Sequence, residues 1–210
     1  MPETDPQTLK QTNIMYKTLL AGLTAITLTT LSYAQQKQEM KTEPTQSRIL
    51  VASFSATGTT SRAAAKVAAA TGGTLHAITP AQAYTAADLD WHDKRSRSSV
   101  EMDDPHARPA LGGREVETAG YDVIFIGYPI WWNLAPRIIN TFIERHDLRG
   151  KVLIPFATSG GNGISNSVAA LKRSYPDLDW REGRLLNRAG DQEIRSWVAQ
   201  LGIGQQPDKR

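Results

Sequence analysis

Apolar residues fall in short runs separated by polar, glycine-containing stretches. "RILVASF" (48–54) is an unbroken apolar run of strand length, and its lack of alternation implies burial on both faces. "TTSRAAAKVAAATGG" follows, alanine-rich and closed by Gly72 and Gly73, which predicts a helix with a glycine stop. "TLHAIT" is a second short strand and "YDVIFIGY" a third, the most apolar. In "APRIINTFIERHDLRG", Pro136 occupies the first turn of a helix whose Ile138, Ile139, Phe142 and Ile143 form one stripe. "KVLIPFAT" is a fourth strand, "ISNSVAALKRSY" an amphipathic helix and "DLDWREGRLLN" a weaker fifth strand. "DQEIRSWVAQLG" sets Ile194, Trp197, Val198 and Leu201 on one helical face, with Asp191 as the expected cap. Strand and helix alternate along the chain, the pattern of an α/β domain whose parallel sheet carries helices on both faces.

Two regions break this rhythm. Residues 81–119 are long, polar and charged, and include "DLDWHDKRSRSSVEMDDPHARP"; a helix is expected within them, and a segment of this length in a compact domain is commonly functional. At the N-terminus, Lys17 precedes "TLLAGLTAITLTTL", and Ser32 and Ala34 stand at the −3 and −1 positions of a cut after Ala34. A positive start, a short apolar stretch and a small-residue exit predict a secretory signal peptide over 1–34, with translation starting at Met15. The threonine-rich apolar stretch is too polar and short for a firm membrane span. The expected organisation is therefore signal peptide 1–34, linker 35–47, globular domain 48–202 and tail 203–210. Export, to a periplasm, is the expected location; without a working signal the chain stays in the cytoplasm.

Composition removes several classes of chemistry. The 210 residues include no cysteine, which excludes disulfides, thiolate metal sites and cysteine nucleophiles. The formal charge is +3, and removing residues 1–34 takes Lys10 and Lys17 with Glu3 and Asp5 and leaves it unchanged. That balance, without a long basic run, does not point to nucleic acid. No GxGxxG opens a helix and no Gly-Lys-Ser/Thr occurs. His76, His92, His106 and His146 match no metal-ligand spacing, so neither a metal site nor a catalytic residue is assigned. The basic run Lys94, Arg95 and Arg97 reads as solvated, with an NAD(P)H phosphate as its alternative use.

In a doubly wound sheet, ligands bind at the carboxyl ends of the strands. Three loops leave strands at that edge. In the first, Ser55, Ala56, Thr57, Gly58, Thr59 and Thr60 run straight into a helix; N-terminal amides and the helix dipole bind phosphate without a lysine, and Gly58 lets the backbone come close. The second, Tyr128, Pro129, Ile130, Trp131, Trp132 and Asn133, holds two adjacent tryptophans that either enter the core or stack on a planar ligand. Tyr84 and Trp91 are candidates to extend that pocket. The third, Thr158, Ser159, Gly160 and Gly161, can turn main-chain amides toward a ligand edge. Ser159 between a strand and a helix also approaches a hydrolase nucleophile elbow, but Ala157 replaces the glycine and no histidine follows His146, so a serine esterase is the remote alternative.

A phosphate cradle, an aromatic wall and an amide-rich rim fit a flat, phosphorylated ring system. The combination resembles the flavodoxin family. "FSATGTT" is similar to that family's phosphate loop, and "DVIFIGYPIWWNLAPRIINTFIE" and "KVLIPFATSGGNG" are similar to its two flavin-flanking loops. The resemblance implies a doubly wound five-stranded parallel sheet in the order 2-1-3-4-5 and non-covalently bound FMN. It implies redox work either as an electron carrier for a partner protein or as an NAD(P)H-dependent reductase of a quinone-like acceptor. By position, Ser55, Thr57, Gly58, Thr59 and Thr60 would hold the phosphate. Pro129, Ile130, Trp131 and Trp132 would border the ring, and Thr158, Ser159, Gly160 and Gly161 would rim its pyrimidine side.

Overall fold

A computed structural model describes residues 47–203. The expected signal peptide, the linker except Ser47 and the tail except Ile203 lie outside the described residues.

Strands β1 (Ile49–Ser53), β2 (Thr74–Ala77), β5 (Val123–Pro129), β6 (Val152–Thr158), β7 (Asp179–Trp180) and β8 (Arg184–Leu185) form one sheet in the order β2-β1-β5-β6-β7, with β8 also on β6. Every pairing in it is parallel. With β7 and β8 counted as the fifth strand, the order is the expected 2-1-3-4-5. That strand is broken opposite Pro155: Asp179 and Trp180 pair with Val152 and Leu153, then Arg184 and Leu185 with Phe156 and Ala157. A proline offers no amide to a ladder, which accounts for the gap.

Alternate strand residues face opposite layers. Leu50, Ala52, Ile124, Ile126 and Leu153 pack with helices α3 (Arg137–Arg145) and α4 (Ser165–Ser174). Ile49, Val51, Val123, Phe125, Ile154 and Phe156 pack with α1 (Thr59–Thr71) and α5 (Asp191–Gln200). Each fully buried large apolar side chain contributes about 1.5–3 kcal/mol, so the central strands carry the stability of the scaffold. Gly127 is compelled by this packing, because a Cβ there would enter the Phe156 ring.

Helix α1 ends as expected, at Gly72 in the left-handed conformation (φ 67°) with its N–H bonded to the Ala68 carbonyl. At α5 the structure corrects the expectation. Gly190 is the cap, its carbonyl accepting from the Ile194 N–H (3.0 Å), and Asp191 is already the first helical residue. There its carboxylate complements the helix dipole and meets Lys66 Nζ at 3.3 Å.

The 81–119 segment holds α2 (Arg97–Asp103), capped by Ser96, whose side chain accepts from the Ser99 N–H. Just before it, β3 (Thr79–Pro80) pairs antiparallel with β4 (Leu111–Gly112). Three arginines fasten this segment to α3. Arg108 makes a two-bond pair with Glu144 (2.8 and 2.8 Å), Arg145 pairs with Glu115, and the Arg137 guanidinium donates to the Met102 carbonyl (3.0 Å).

Candidate functional site

The three loops meet at the carboxyl edge of the sheet. The first and third are joined by a buried hydrogen bond between the Thr60 and Thr158 hydroxyls (2.8 Å). The second and third are joined by the Ile130 N–H donating to the Thr158 carbonyl (2.8 Å). Register explains the meeting: Ser53 pairs with Gly127, and Pro129 with Thr158, so the strands release their chains side by side.

The first loop is built open. The Phe54 N–H donates to the Gly127 carbonyl (2.9 Å), and the next backbone donor with a protein acceptor is Arg62, to Gly58 (3.2 Å). Among the described residues, the backbone N–H groups from Ser55 to Ser61 have no protein acceptor. Gly58 is left-handed (φ 86°), which turns the chain into α1, and no acidic residue lies in the helix's first turn. The Ser55 Oγ is buried without a hydrogen-bond partner, a state that costs about 1–3 kcal/mol unless a ligand satisfies it. Arg62 folds back, donating to Thr59 Oγ1 (3.3 Å). Amides, an orphan hydroxyl, a helix N-terminus and one guanidinium together suit a phosphate monoester.

The second loop divides its tryptophans. Trp131 packs edge-on against Phe54 (ring centroids 5.6 Å) and Tyr84 (5.4 Å), while Trp132 is 46% exposed. The Trp131 N–H donates to the Leu134 carbonyl and the Leu134 N–H returns to Trp131, closing a two-residue turn. Its central residues, Trp132 (φ 44°) and Asn133 (φ 63°), are both left-handed and neither is glycine. Such strain costs about 1–3 kcal/mol per residue and gathers at functional sites. Asn166 donates to the Asn133 carbonyl and braces the turn (3.0 Å). The Tyr128 side chain is fully buried and its hydroxyl pairs with Ser167 (3.1 Å), so only its backbone faces the site.

The third loop is closed on itself. Ser159 Oγ accepts from the Gly161 N–H (3.1 Å) and the Asn162 N–H (2.8 Å), and so acts as a turn brace. Gly160 N–H has no partner among the described residues. Asn187, which sequence reasoning missed, accepts the Ser159 N–H on Oδ1 (2.6 Å) and donates Nδ2 to the Ser159 carbonyl (2.7 Å). Only the proximity of the β6 and β8 ends reveals it.

Two expectations about the long segment change. Tyr84 does reach the site, through its contacts with Phe54 and Trp131, but Trp91 is exposed and stacks on His92. Arg97 is not solvated. Its guanidinium lies 4.0 Å from the Tyr84 ring centre and bonds Glu101 at 2.7 Å, while Arg95 stays in solvent. Burial, then the hydrogen bond to Glu101, pushes the Tyr84 hydroxyl well above its ordinary range, so it remains protonated. His76 lies in β2 and His146 caps α3, donating from Nδ1 to the Phe142 carbonyl (2.8 Å). Burial and the neighbouring His146 and Arg114 push His76 below its ordinary value. No group of metal-ligating side chains occurs among the described residues, and no described helix is long and apolar enough to cross a membrane.

A model of the flavodoxin family matches residues 48–201. The chain belongs to the flavodoxin family. It is similar to a protein described as a flavoprotein from Bacteroides eggerthii, at 63% identity over 74% of this chain and 98% of that one (TM-score 0.72). A second, from Bacteroides uniformis, is 58% identical over 73% and 99% (TM-score 0.71). A flavoprotein from Lactobacillus acidophilus, solved in complex with FMN, shares the fold at 19% identity over 72% and 99% (TM-score 0.57). No curated protein matches the chain. The open first loop, the exposed Trp132 and the Gly160 amide of this flavodoxin-family chain share the carboxyl edge of the sheet, the edge at which doubly wound folds in general take their ligands.

Proposed function

We propose that the chain binds FMN at this edge and transfers electrons as a flavodoxin. One observation carries the reading: the unpartnered amides of Ser55–Ser61 with the orphan Ser55 hydroxyl, at the start of α1. FMN supplies one- and two-electron redox chemistry when bound. Ser55, Ala56, Thr57, Gly58 and Thr59 hold its phosphate through amides and hydroxyls, with Arg62 adding charge. Thr60 and Thr158 lock the two loops together. Trp132 covers the ring, Pro129 and Ile130 border it, and Trp131 holds the wall in place from behind. The Gly160 N–H meets the ring edge beside the turn that Ser159 and Gly161 close.

The purified full chain is expected to be yellow, with flavin absorption bands; a colourless preparation that FMN cannot reconstitute overturns the reading. Trp132→Ala is expected to weaken FMN without loss of melting temperature. Trp131→Ala is expected to lower the melting temperature, since it removes contacts to Phe54 and Tyr84.

A second reading, reduction of a small acceptor at the expense of NAD(P)H, is favoured by a cavity of about 500 Å³ beside the first loop. Phe54, Ser55, Leu75, Ile78, Pro80 and Tyr84 are among its lining residues. That lining includes no Lys or Arg, which suits a neutral quinone-like molecule better than dinucleotide phosphates. Steady-state oxidation of NADH or NADPH with a quinone separates an enzyme from a carrier that serves a partner protein. Export to a periplasm rests on the N-terminal pattern alone. Cell fractionation, with the mass of the mature chain, tests it.

A further inference from the structure

We infer that Asn187 is a positioning residue that sets the third loop, and with it the Gly160 N–H, against the ring edge of the ligand. The inference rests on the FMN reading above and assigns a role to a residue outside the three loops. Its geometry is that of a borrowed strand. β8 pairs with β6 at Ala157, and the Leu186 N–H donates to the Ala157 carbonyl (2.8 Å), where the backbone ladder ends. One step further, the Asn187 carboxamide takes over, accepting the Ser159 N–H (2.6 Å) and donating to the Ser159 carbonyl (2.7 Å). A primary amide offers one acceptor and a donor pair in one plane, so it can replace a missing peptide unit. Among the other nineteen side chains, glutamine alone carries the same group, on a longer stem.

Asn187 is itself held from both sides. Leu186 and Ala189 are buried in the α1/α5 layer, and Lys66 from α1 donates to the Ala189 carbonyl (3.1 Å). The carboxamide therefore ties the third loop to a rigid layer rather than to another loop. The backbone donors from Ser159 to Asn162 are then divided. Ser159's own backbone is consumed by Asn187, and Ser159 Oγ consumes the Gly161 and Asn162 amides. The Gly160 N–H is left between them as the free donor. Negative charge builds up on the ring when a flavin is reduced, so a donor fixed at its edge favours the reduced form more than the oxidised form. Loosening the donor therefore makes the potential more negative as well as weakening binding.

The test compares wild type, Asn187→Ala and Asn187→Asp as full chains. Three quantities are read: amide exchange of Ser159 without FMN, FMN dissociation constant, and midpoint potential with FMN bound. Asn187→Ala is expected to speed Ser159 exchange at least tenfold, weaken FMN about tenfold and move the potential to more negative values, with the melting temperature little changed because the side chain is exposed. Asn187→Asp keeps an acceptor for the Ser159 N–H and is expected to retain most of the protection while losing affinity, because its carboxylate faces the Ser159 carbonyl. It also serves if the alanine variant does not fold. Unchanged Ser159 exchange in Asn187→Ala overturns the inference, as does faster exchange with FMN affinity within twofold of wild type or with an unmoved midpoint potential. A wild type that cannot be loaded with FMN overturns the FMN reading and this inference with it. Loaded protein whose potential ignores Asn187 overturns the inference alone.

Discussion

The first and third loops leave neighbouring strands of one sheet, yet they solve their backbone hydrogen bonds in opposite ways. The first leaves its amides from Ser55 to Ser61 without protein acceptors and buries an unpaired Ser55 hydroxyl. The third satisfies nearly everything internally, with Ser159 closing the turn and Asn187 replacing a strand. An unsatisfied loop at a helix start is a poor structural element and a good anion receptor. A satisfied loop holds its geometry before any ligand arrives. The contrast teaches that receptivity and rigidity are divided between neighbouring loops of one sheet edge: on the FMN reading proposed above, the open loop would take the charged end and the closed loop would hold the ring edge.

The comparison can be broken most strongly at Gly58. Gly58→Asp places a carboxylate at a left-handed position inside the amide cluster; FMN affinity is expected to fall at least ~100-fold, since strain and charge repulsion act together. Titration of apoprotein with FMN, followed by flavin fluorescence, checks it. Next in size is the bond joining the two loops. Thr60→Val leaves the Thr158 hydroxyl buried without its partner and is expected to cost about 1–3 kcal/mol of stability, measured by denaturant unfolding of the apoprotein.

Ser55→Ala sharpens the contrast. FMN binding is expected to weaken about tenfold, while apoprotein stability stays unchanged or rises, because the deleted hydroxyl makes no protein contact. A loss of apoprotein stability above ~1 kcal/mol in that variant would show the hydroxyl to be structural.

The smallest expected effect is a pH dependence at His76, which lies on β2 and in the lining of the cavity beside the first loop. His76 titrates below its ordinary value of 6.5, mainly through burial, so between that value and its own folded value the unfolded chain binds more protons. Its contribution to stability is complete above pH 6.5 and declines as pH falls through that window. His76→Asn is expected to flatten the melting-temperature profile there, measured by thermal unfolding of the apoprotein across that pH range.

The scaffold was legible because its signals are local. Continuous apolar runs marked the buried strands, and Gly72 marked the end of α1. The turn that opens α1 was legible too, since a hydroxyl-rich, glycine-containing stretch entering a helix is a local motif. What the sequence did not disclose depends on distant partners. Trp131 and Trp132 are neighbours of one chemical type, and only the left-handed turn decides that one packs and the other is exposed. Arg97 looked like part of a solvated run until Tyr84 and Glu101 came beneath it. Asn187 lies 28 residues from Ser159 in a stretch of weak strand character, and its role exists only where two strand ends meet.

The break in the fifth strand has a bearing on solubility. An uninterrupted strand at the margin of a parallel sheet would offer a second molecule a long row of free amides and carbonyls to zip onto. Here the margin beyond β6 consists of two-residue rungs separated by residues 181–183, so an incoming chain finds no continuous template on that side. One proline in β6 thus helps to keep neighbouring molecules from stacking sheet on sheet edge into aggregates.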